Sequence, residues 1–362
     1  MSTATPTVRK RARALAATLR NLDRDVKTVA GLWAASAAFL VLVLAVVPLF
    51  YTAPVLVCVG VGIYTWLRYQ EAAAQLVMFV MTVSTVLVLA LITAYLVTRS
   101  VPAFRVAGLE ILTDVGQSAW NPSANEFSLV TMIWATFLTT TIAMFVAAPL
   151  GVAGALFISE IAPSWARELL KPAVEMLAGI PSIVYGFLGY QLVLDYMYTE
   201  LNLPVYGSIF AVGVVIGVMA LPTVVSVAED AIAAVPDAIK DGSAALGATS
   251  WQTITDVTLP ASFSGVSAAV LLGVGRAVGE TMAATVMLTH SGGLPDPLYD
   301  VFGPLGQETL TSLIASQYGV AEGKHLSALF AAGVVLFVTV MTISVASQYI
   351  ESRMQEKLGG EL

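Results

Sequence analysis

Long apolar segments recur along the chain, and short polar segments separate them. A helix that crosses a bilayer needs about 20 apolar residues, and eight segments come near or exceed that length. The pattern therefore predicts eight transmembrane helices, at about 31–51, 53–67, 76–97, 128–158, 173–198, 205–228, 263–289 and 326–350. Only the short connection at 51–54 separates the first two, so we expect these to form a helical hairpin.

The composition supports a membrane protein and excludes several other classes. Of the 362 residues, 57% are hydrophobic and 11% are charged, whereas a soluble domain has about a quarter charged residues. Cys58 is the only cysteine, which excludes an intrachain disulfide. The net charge of −7 argues against nucleic-acid binding, which needs a basic surface. The first thirty residues lack the apolar core of a cleaved signal peptide, so we expect the first span to be retained.

The distribution of basic residues predicts the orientation, because cytoplasmic loops are enriched in Lys and Arg. With eight spans and the N-terminus inside, the outer loops hold only Arg99, Arg105 and Lys324. Arg276 falls within a span, and the other thirteen of the 17 basic residues lie on the cytoplasmic side. Both termini are therefore predicted to be cytoplasmic. The outer loops are acidic, and we interpret this as a hypothesis of adaptation to high salt.

The N-terminal segment, residues 1–29, has the pattern of an amphipathic helix. Its apolar positions recur at steps of four and three, with basic residues between them. They are Val8, Ala12, Leu15, Leu19, Leu22, Val26 and Val29. The pattern is typical of an interfacial helix on an anionic inner leaflet. Packing against a partner subunit and a simple positive-inside signal are the alternatives.

The polar cytoplasmic stretch at 229–262, here called the coupling loop, contains signals for two short helices. Pro236, Asp237 and Gly247 predict a helix at about 236–246, because they suit its first turn, its positive end and its left-handed cap. Thr249 and Gln252 have capping-box spacing, which predicts a second short helix running toward Pro260. Two short helices that meet at a glycine would form a rigid protrusion suited to docking into another protein. An ordinary re-entry loop is the alternative.

The stretch DGSAALGATSWQTITDVTLP resembles the EAA loop of ABC-importer permeases, whose pattern ends in Leu-Pro. By position, Asp241 corresponds to the Glu of that pattern, and Gly242 and Ser243 correspond to its two alanines. Gly247 and Val257 correspond to its glycine and isoleucine. The resemblance implies that this loop contacts an ATPase subunit and transmits closure of that subunit. The residues that this implicates are Asp241, Gly242, Ser243, Ala244, Ala245, Gly247, Ala248, Thr249, Val257, Leu259 and Pro260.

Two charged residues lie within the seventh predicted span, in the segment GVGRAVGETMAATVML. Arg276 and Glu280 are four residues apart, on one face of the predicted helix. A charge at the bilayer centre costs about 2.5–3.5 kcal/mol, so this pair is either functional or a helix-stabilising ion pair. Gly275 and Gly279 would let a solute approach closely. An anion would be balanced by Arg276, while Glu280 would either hold the guanidinium or repel the anion onward.

Pro181 lies within the fifth predicted span and should break its hydrogen-bond ladder. Irregular backbone at membrane depth is tolerated where it lines a cavity or is buried in protein, so pathway lining and a packing kink both remain open. His290 and His325 have no Cys or carboxylate at metal-ligand spacing, and we expect both to be solvated and to bind no metal. The chain lacks the GxxxxGK[ST] nucleotide-binding loop, and no catalytic arrangement stands out.

The segment GRAVGETMA is similar to the GRA-x-GETMA signature of PstC-type permeases of phosphate ABC importers. LLKPAVEMLAGIPSIVYGFLG, FISEIAP and the tripeptide at 120–122 agree with it, and the resemblance covers about residues 76–350. It implies an all-α membrane protein with a MetI-like six-helix permease core at 71–362. The hairpin predicted from hydropathy at 30–70 and the segment 1–29 lie outside that core. Its implied translocation-pathway residues are Arg276, Glu280, Thr281, Gly275, Gly279, Pro181 and Ser182.

The resemblance implies a transport subunit, and not an enzyme, in the plasma membrane of a prokaryote. The subunit would import inorganic phosphate by alternating access. A separate ATPase would drive this cycle through the segment 241–260. The implied partners are a PstA-type permease, a PstB-type ATPase dimer and a PstS-type binding protein. ATP and Mg would be bound by the ATPase, and this chain would hold no cofactor. The alternatives are an importer of another oxyanion, such as molybdate or sulfate, and a self-contained channel or secondary transporter.

Overall fold

A computed structural model describes residues 24–46, 52–115 and 120–359. Apart from one short antiparallel hairpin, β1 (Trp120–Asn121) and β2 (Glu126–Phe127), the regular structure of these residues is helical. The helices are α1 (Arg24–Val46), α2 (Thr52–Arg68), α3 (Gln70–Ala107), α4 (Val130–Leu156), α5 (Ser164–Ala178), α6 (Ser182–Leu188), α7 (Asp195–Thr199), α8 (Ile209–Ala233), α9 (Asp237–Ala245), α10 (Ser250–Thr253), α11 (Leu259–Gly279), α12 (Met282–Met287), α13 (Leu310–Gln317) and α14 (Gly323–Gly359). The all-helical prediction is confirmed.

Within the described ranges, five helical segments are long and apolar enough to cross a membrane. They are Gln70–Ala107, Val130–Ile161, Ile209–Ala233, Ser250–Gly279 and Gly323–Ala346. Counting Ser164–Ala178 and Ser182–Thr199 as one bent span makes six. Helices α1 and α2 occupy the region of the predicted N-terminal hairpin, and α2 has only 17 residues. The architecture is therefore that of a multi-pass membrane protein with additional N-terminal helices.

The predicted fifth span at 173–198 is wrong as a single helix. Helix α5 begins at Ser164, and a break at 179–181 turns the chain by 90° before α6. Pro181 has an extended backbone, with ψ of 137°, and it lacks the N–H that a continuous helix would need. The predicted break at Pro181 is thus confirmed. A second irregularity, a π-helical turn at Gly189–Leu194, connects α6 to α7.

The prediction for the segment from 249 to 289 also needs correction. No separate second short helix ends at Pro260, because α10 continues through a π-helical turn, Ile254–Thr258, into α11. Pro260 lies in the first turn of α11, where a missing N–H is tolerated. The predicted span at 263–289 is interrupted as well, since α11 ends at Gly279 and α12 begins at Met282.

Helix α8 lies at the centre of the helical core, and two thirds of its apolar window (67%) are buried. It packs closely against α4 through glycines. A Cβ added to Gly217 would lie 2.8 Å from the carbonyl oxygen of Ala143, and one added to Gly213 would lie 2.7 Å from Cβ of Ile142. Such contacts let two helix backbones approach each other closely. They hold α8 in place against α4, beside the site described below.

The chain divides into two compact units, Met1–Ala94 and Tyr95–Leu362, and the division falls within α3. In the first unit, Val26 and Val29 of the predicted amphipathic stripe are buried together with Ala72 and Ala73. Residues 1–23 of that predicted helix lie outside the described residues. The interfacial role of the segment therefore stays a prediction.

Candidate functional site

The coupling loop begins with α9, whose two ends follow the sequence signals. Pro236 precedes the helix with an extended backbone, and Gly247 follows it at φ +90°. At the C-terminus, the N–H of Ala248 donates to the carbonyl of Ser243 at 3.2 Å, and that of Gly247 donates to Ala244 at 3.0 Å. These two bonds form a Schellman motif. The predicted left-handed cap at Gly247 is confirmed.

The chain then enters α10 through the predicted capping box. The N–H of Gln252 donates to the Thr249 hydroxyl at 3.3 Å, and the side chain of Gln252 accepts from the N–H of Thr249 at 2.8 Å. Across the loop, the hydroxyls of Ser243 and Thr253 lie 3.1 Å apart. Both turns of the loop are therefore fixed by local hydrogen bonds, and this makes it a rigid protrusion.

The outer surface of this protrusion is apolar at three places. Leu246 is 92% exposed, Trp251 is 65% exposed and Ile239 is 50% exposed. A groove of about 610 Å³ runs between α9 and the turns after Thr249, and Leu246, Gly247 and Val257 are among its lining residues. Large side chains so exposed at the tip of a rigid loop are typical of a protein-docking surface.

The predicted coupling residues lie together on this protrusion. Most are exposed: Asp241, Gly242, Ala244, Ala245, Gly247, Thr249 and Pro260. The others are partly buried: Ser243, Ala248, Val257 and Leu259. The structure thus brings these predicted residues into one region, and their contact with an ATPase stays a prediction.

Ion pairs connect the base of the coupling loop to the neighbouring helices. Lys240 Nζ lies 2.7 Å from Oε1 of Glu160, in the π-helical turn Phe157–Ile161 that ends α4. Lys171 Nζ lies 2.5 Å from Oε2 of Glu229 and 3.0 Å from Oδ1 of Asp230. The sequence interpretation missed Glu160 and Glu229. The only available signal was that each glutamate lies just after the end of a predicted apolar span. The partner of Glu160 is 80 residues away along the chain, and that of Glu229 is 58 residues away.

Arg276 lines a cavity of about 680 Å³ between α8, α11 and α14. Its Nη1 donates a long hydrogen bond, 3.4 Å, to the hydroxyl of Thr223. Within the part of the chain that the structure describes, the buried Nε of Arg276 has no hydrogen-bond partner. Ser344 and Gln348 add a hydroxyl and an amide to the same cavity. The site is therefore a guanidinium with an unpartnered buried N–H, in a cavity lined by both apolar and polar residues.

The predicted pairing of Arg276 with Glu280 is wrong. Helix α11 ends at Gly279, and Glu280 has an extended backbone with ψ of 123°, so the two residues do not share a helical face. Oε1 of Glu280 accepts the N–H of Ala283 at 3.1 Å, which caps the start of α12. Its carbonyl accepts the Thr311 hydroxyl at 2.7 Å. Among the described residues, no carboxylate lies within ion-pair distance of Arg276.

The remaining predicted pathway residues cluster at the two helix breaks. A Cβ at Gly275 or Gly279 would meet no atom within 4 Å, so the structure shows no packing reason for either glycine. Ser182 begins α6, which packs against α12 just after Thr281. The contact is close, since a Cβ at Gly186 would lie 2.8 Å from Cα of Ala283. The breaks at 179–181 and 280–281 thus introduce two short helices that pack together.

His290 is exposed, as predicted, whereas His325 is partly buried, and both rings also have specific hydrogen-bond partners. His325 Nε2 lies 2.8 Å from Oε1 of Gln317, and its ring stacks on Phe127. His290 Nδ1 lies 3.2 Å from Oε1 of Glu308, whose side chain is only 3% exposed. The other ring nitrogen of His290 faces the carbonyl of Thr285 at 3.2 Å. Both ring nitrogens of His290 face acceptors, so the protonated ring, which donates from both, fits this place.

The pair of His290 and Glu308 predicts a pH-dependent stability of the loop between α12 and α13. The hydrogen bond to Glu308 raises the pKa of His290 above its ordinary value of 6.5. A raised folded-state pKa gives stability that is fully present below pH 6.5 and is lost as pH rises through the higher value. We expect thermal unfolding to show a loss of about 1 kcal/mol from pH 6 to pH 8.5.

The His290→Gln and Glu308→Gln variants are the controls for this prediction, because each removes the titrating pair. Both should lack this component of the pH profile. Equal slopes in the wild type and in both variants would contradict the assignment.

Comparison with known proteins identifies related families and folds. Residues 147–356 match the family described as the binding-protein-dependent transport system inner membrane component. The probable ABC transporter permease protein YqgH of Bacillus subtilis is 35% identical over 264 residues, which are 72% of this chain and 84% of that protein. The phosphate transport system permease protein PstC of Haemophilus influenzae is 33% identical over 262 residues, 67% of this chain and 82% of that protein.

Solved structures of membrane transporters show a similar fold. An inward-facing structure of the MetNI methionine ABC transporter covers 62% of this chain and 95% of its own, at 21% identity and a TM-score of 0.51. The second is a bacterial alginate ABC transporter, in complex with a periplasmic protein bound to an alginate pentasaccharide. The match covers 80% of this chain and 98% of that chain, at 15% identity and a TM-score of 0.56. At these identities the similarity concerns the fold alone.

Proposed function

Because this chain belongs to the binding-protein-dependent transport system inner membrane components, as the permease subunit of an ABC importer, we propose that it transports inorganic phosphate. The observation that carries the proposal is the guanidinium of Arg276 at the wall of a cavity, with a buried Nε that has no partner in the described structure. The PstC proteins of Haemophilus influenzae and Pasteurella multocida, which are named as phosphate permeases, support it.

The chemistry of the cavity favours an oxyanion over a cation or a neutral solute. A cation within a membrane protein without a counter-ion is costly, and a bound anion offsets that cost. A guanidinium presents several N–H donors in a plane that matches the oxygens of a phosphate. The hydroxyl of Thr223 and the amide of Gln348 line the same space, whereas the Ser344 hydroxyl donates to the carbonyl of Val340 at 2.9 Å. Arg276 would stabilise the anion during passage.

The two helix breaks suit a pathway that opens and closes. Irregular backbone within a membrane protein is tolerated where it lines a cavity, and the breaks at 179–181 and 280–281 both lie beside open glycines or short helices. Gly275 and Gly279 would let the anion pass close to the backbone. In this proposal Pro181, Ser182, Glu280 and Thr281 form the pathway walls, and Glu280 acts by capping α12.

The coupling loop would receive the energy of ATP hydrolysis from an ATPase subunit. Leu246, Trp251 and Ile239 would enter an apolar groove of that subunit, and Asp241 at the exposed face of α9 would meet a polar group at its rim. The partners would be a PstA-type permease, a PstB-type ATPase dimer that binds ATP and Mg, and a PstS-type binding protein. The coupling loop would face the cytoplasm, together with both termini.

Uptake in a strain that lacks this chain tests the proposed substrate. We expect loss of most high-affinity phosphate uptake, restored by the chain on a plasmid, with sulfate and molybdate uptake unchanged. The assay is accumulation of each radiolabelled oxyanion at low external concentration. Normal phosphate uptake, with loss of sulfate or molybdate uptake, would contradict the proposal and assign the chain to another oxyanion.

A further inference from the structure

The base of the coupling loop is tied to the end of α4 by a shielded ion pair. The side chains of Lys240 and Glu160 are only 18% and 11% exposed, and their charged atoms lie 2.7 Å apart. Removing one partner of such a pair leaves the other charge desolvated and unpaired. A displacement of α9 is therefore resisted by its contact with the π-helical turn Phe157–Ile161.

The same π-helical turn is held from its other side by α5. Arg167 Nε donates to the carbonyl of Ile158 at 2.8 Å, and its Nη2 donates to the carbonyl of Ser159. The turn thus lies between α9, which contacts it through Lys240, and α5, which contacts it through Arg167. Movement of α9 would reach α5 through this turn.

Helix α5 leads directly to the 90° bend at 179–181. Beyond the bend, α6 packs against α12 through Gly186 and Ala283, and α12 begins just after Glu280. Lys171 on α5 also pairs with Glu229, at the inner end of α8. A continuous series of contacts therefore runs from the coupling loop to the pathway breaks.

We propose that Lys240 and Glu160 are positioning residues that transmit movement of the coupling loop to the bend at 179–181, an inference that rests on the proposed coupling to an ATPase. Neither residue touches the transported anion. Their pairing makes α9 and the π-helical turn move together, and Arg167 passes that movement to α5. Without the pair, the ATPase would still hydrolyse ATP while α6 stayed in place.

A spin label on α6 measures this transmission without any transported substrate. Cys58→Ser removes the only cysteine, and Ile183→Cys places a label at a side chain that is 51% exposed. In the complete complex, trapping the ATPase with ATP and vanadate is expected to change the mobility of the label. Lys240→Gln and Glu160→Gln should each reduce that change severalfold, because each variant removes the charge pair that joins α9 to the π-helical turn, while ATP hydrolysis continues.

Restoring the pair in reversed order distinguishes transmission from a loss of folding. The double variant Lys240→Glu, Glu160→Lys should recover the response, and Lys240→Arg should retain it. A full response in either glutamine variant would overturn the proposal, and so would a double variant as impaired as the single ones. If the variant with the reversed pair does not assemble, Lys240→Arg decides the matter. Loss of the spin-label response in Lys240→Arg would overturn the proposal, and a retained response would support it. The spin-label measurement does not depend on the transported substrate. If the wild-type complex accumulated no phosphate, the proposed substrate would be refuted, and the test of Lys240 and Glu160 would still stand.

Discussion

Replacing Arg276 with glutamine is expected to lower phosphate uptake by about ten- to a hundredfold. Glutamine can still donate a hydrogen bond, but it carries no charge to balance an anion in the cavity. Charged hydrogen bonds contribute about 1.5–3 kcal/mol, and each 1.4 kcal/mol corresponds to a tenfold change. Arg276→Lys keeps the positive charge but lacks the planar set of donors. Its phosphate uptake should therefore lie between that of the wild type and that of Arg276→Gln.

The matched control for this prediction is Arg353→Gln. Arg353 lies near the end of α14, where its guanidinium contacts the ring and hydroxyl of Tyr349, and it does not line the cavity. Uptake should be unchanged in this variant, and both variants should assemble with their partners as the wild type does. Normal uptake by Arg276→Gln would reduce Arg276 to a structural residue and remove the main support for an anion pathway.

Leu246→Asp is expected to release the ATPase from the membrane subunit. Leu246 is 92% exposed at the tip of the coupling loop, and burying a leucine fully stabilises a complex by about 1.5–3 kcal/mol. An aspartate there loses this contribution and adds the cost of a buried unpaired charge. We expect the affinity for the ATPase to fall at least about a hundredfold, measured by co-purification and by binding to reconstituted vesicles.

Leu201→Asp is the matched control, because it introduces the same change at another exposed leucine. Leu201 is 59% exposed and follows α7, in the connection that leads into α8. That connection lies at the end of α8 opposite to the coupling loop. ATPase binding should be unaffected by this variant. Equal binding by Leu246→Asp and the wild type would exclude the tip of the loop as the docking surface.

The local features of the coupling loop could be predicted from the sequence because neighbouring residues determine them. Gly247 takes φ of +90°, which a glycine adopts without strain, and the capping box joins residues only three positions apart. Pro181 breaks its span for an equally local reason, its missing N–H. These signals do not depend on how distant helices pack.

The geometry around Arg276 could not be predicted in the same way. The spacing of Arg276 and Glu280 indicates one helical face only if the helix continues, and α11 ends between them. Glu280 is held by the hydroxyl of Thr311, 31 residues away, and Arg276 reaches Thr223, 53 residues away. Such contacts depend on tertiary packing, which periodicity does not contain.

The pairs of Lys240 with Glu160 and of His290 with Glu308 were missed for the same reason. Glu160 and His290 lie near the ends of predicted apolar spans, and the other two residues lie within polar loops. A solvated side chain is the ordinary expectation in both places. Burial of the two glutamates, and so the strength of both pairs, follows from the folded arrangement of the loops. Sequence patterns therefore predicted the local structure of the candidate regions better than the contacts within them.

Phosphate flux into proteoliposomes tests the central claim most directly. The vesicles would hold either the purified chain alone or the complete complex, with its second permease, ATPase and binding protein. We expect phosphate to accumulate only in vesicles with the complete complex and only with ATP, and about ten- to a hundredfold less when Arg276→Gln replaces the wild-type chain. Phosphate flux through the chain alone, without ATP, would contradict the account and identify a channel or secondary transporter.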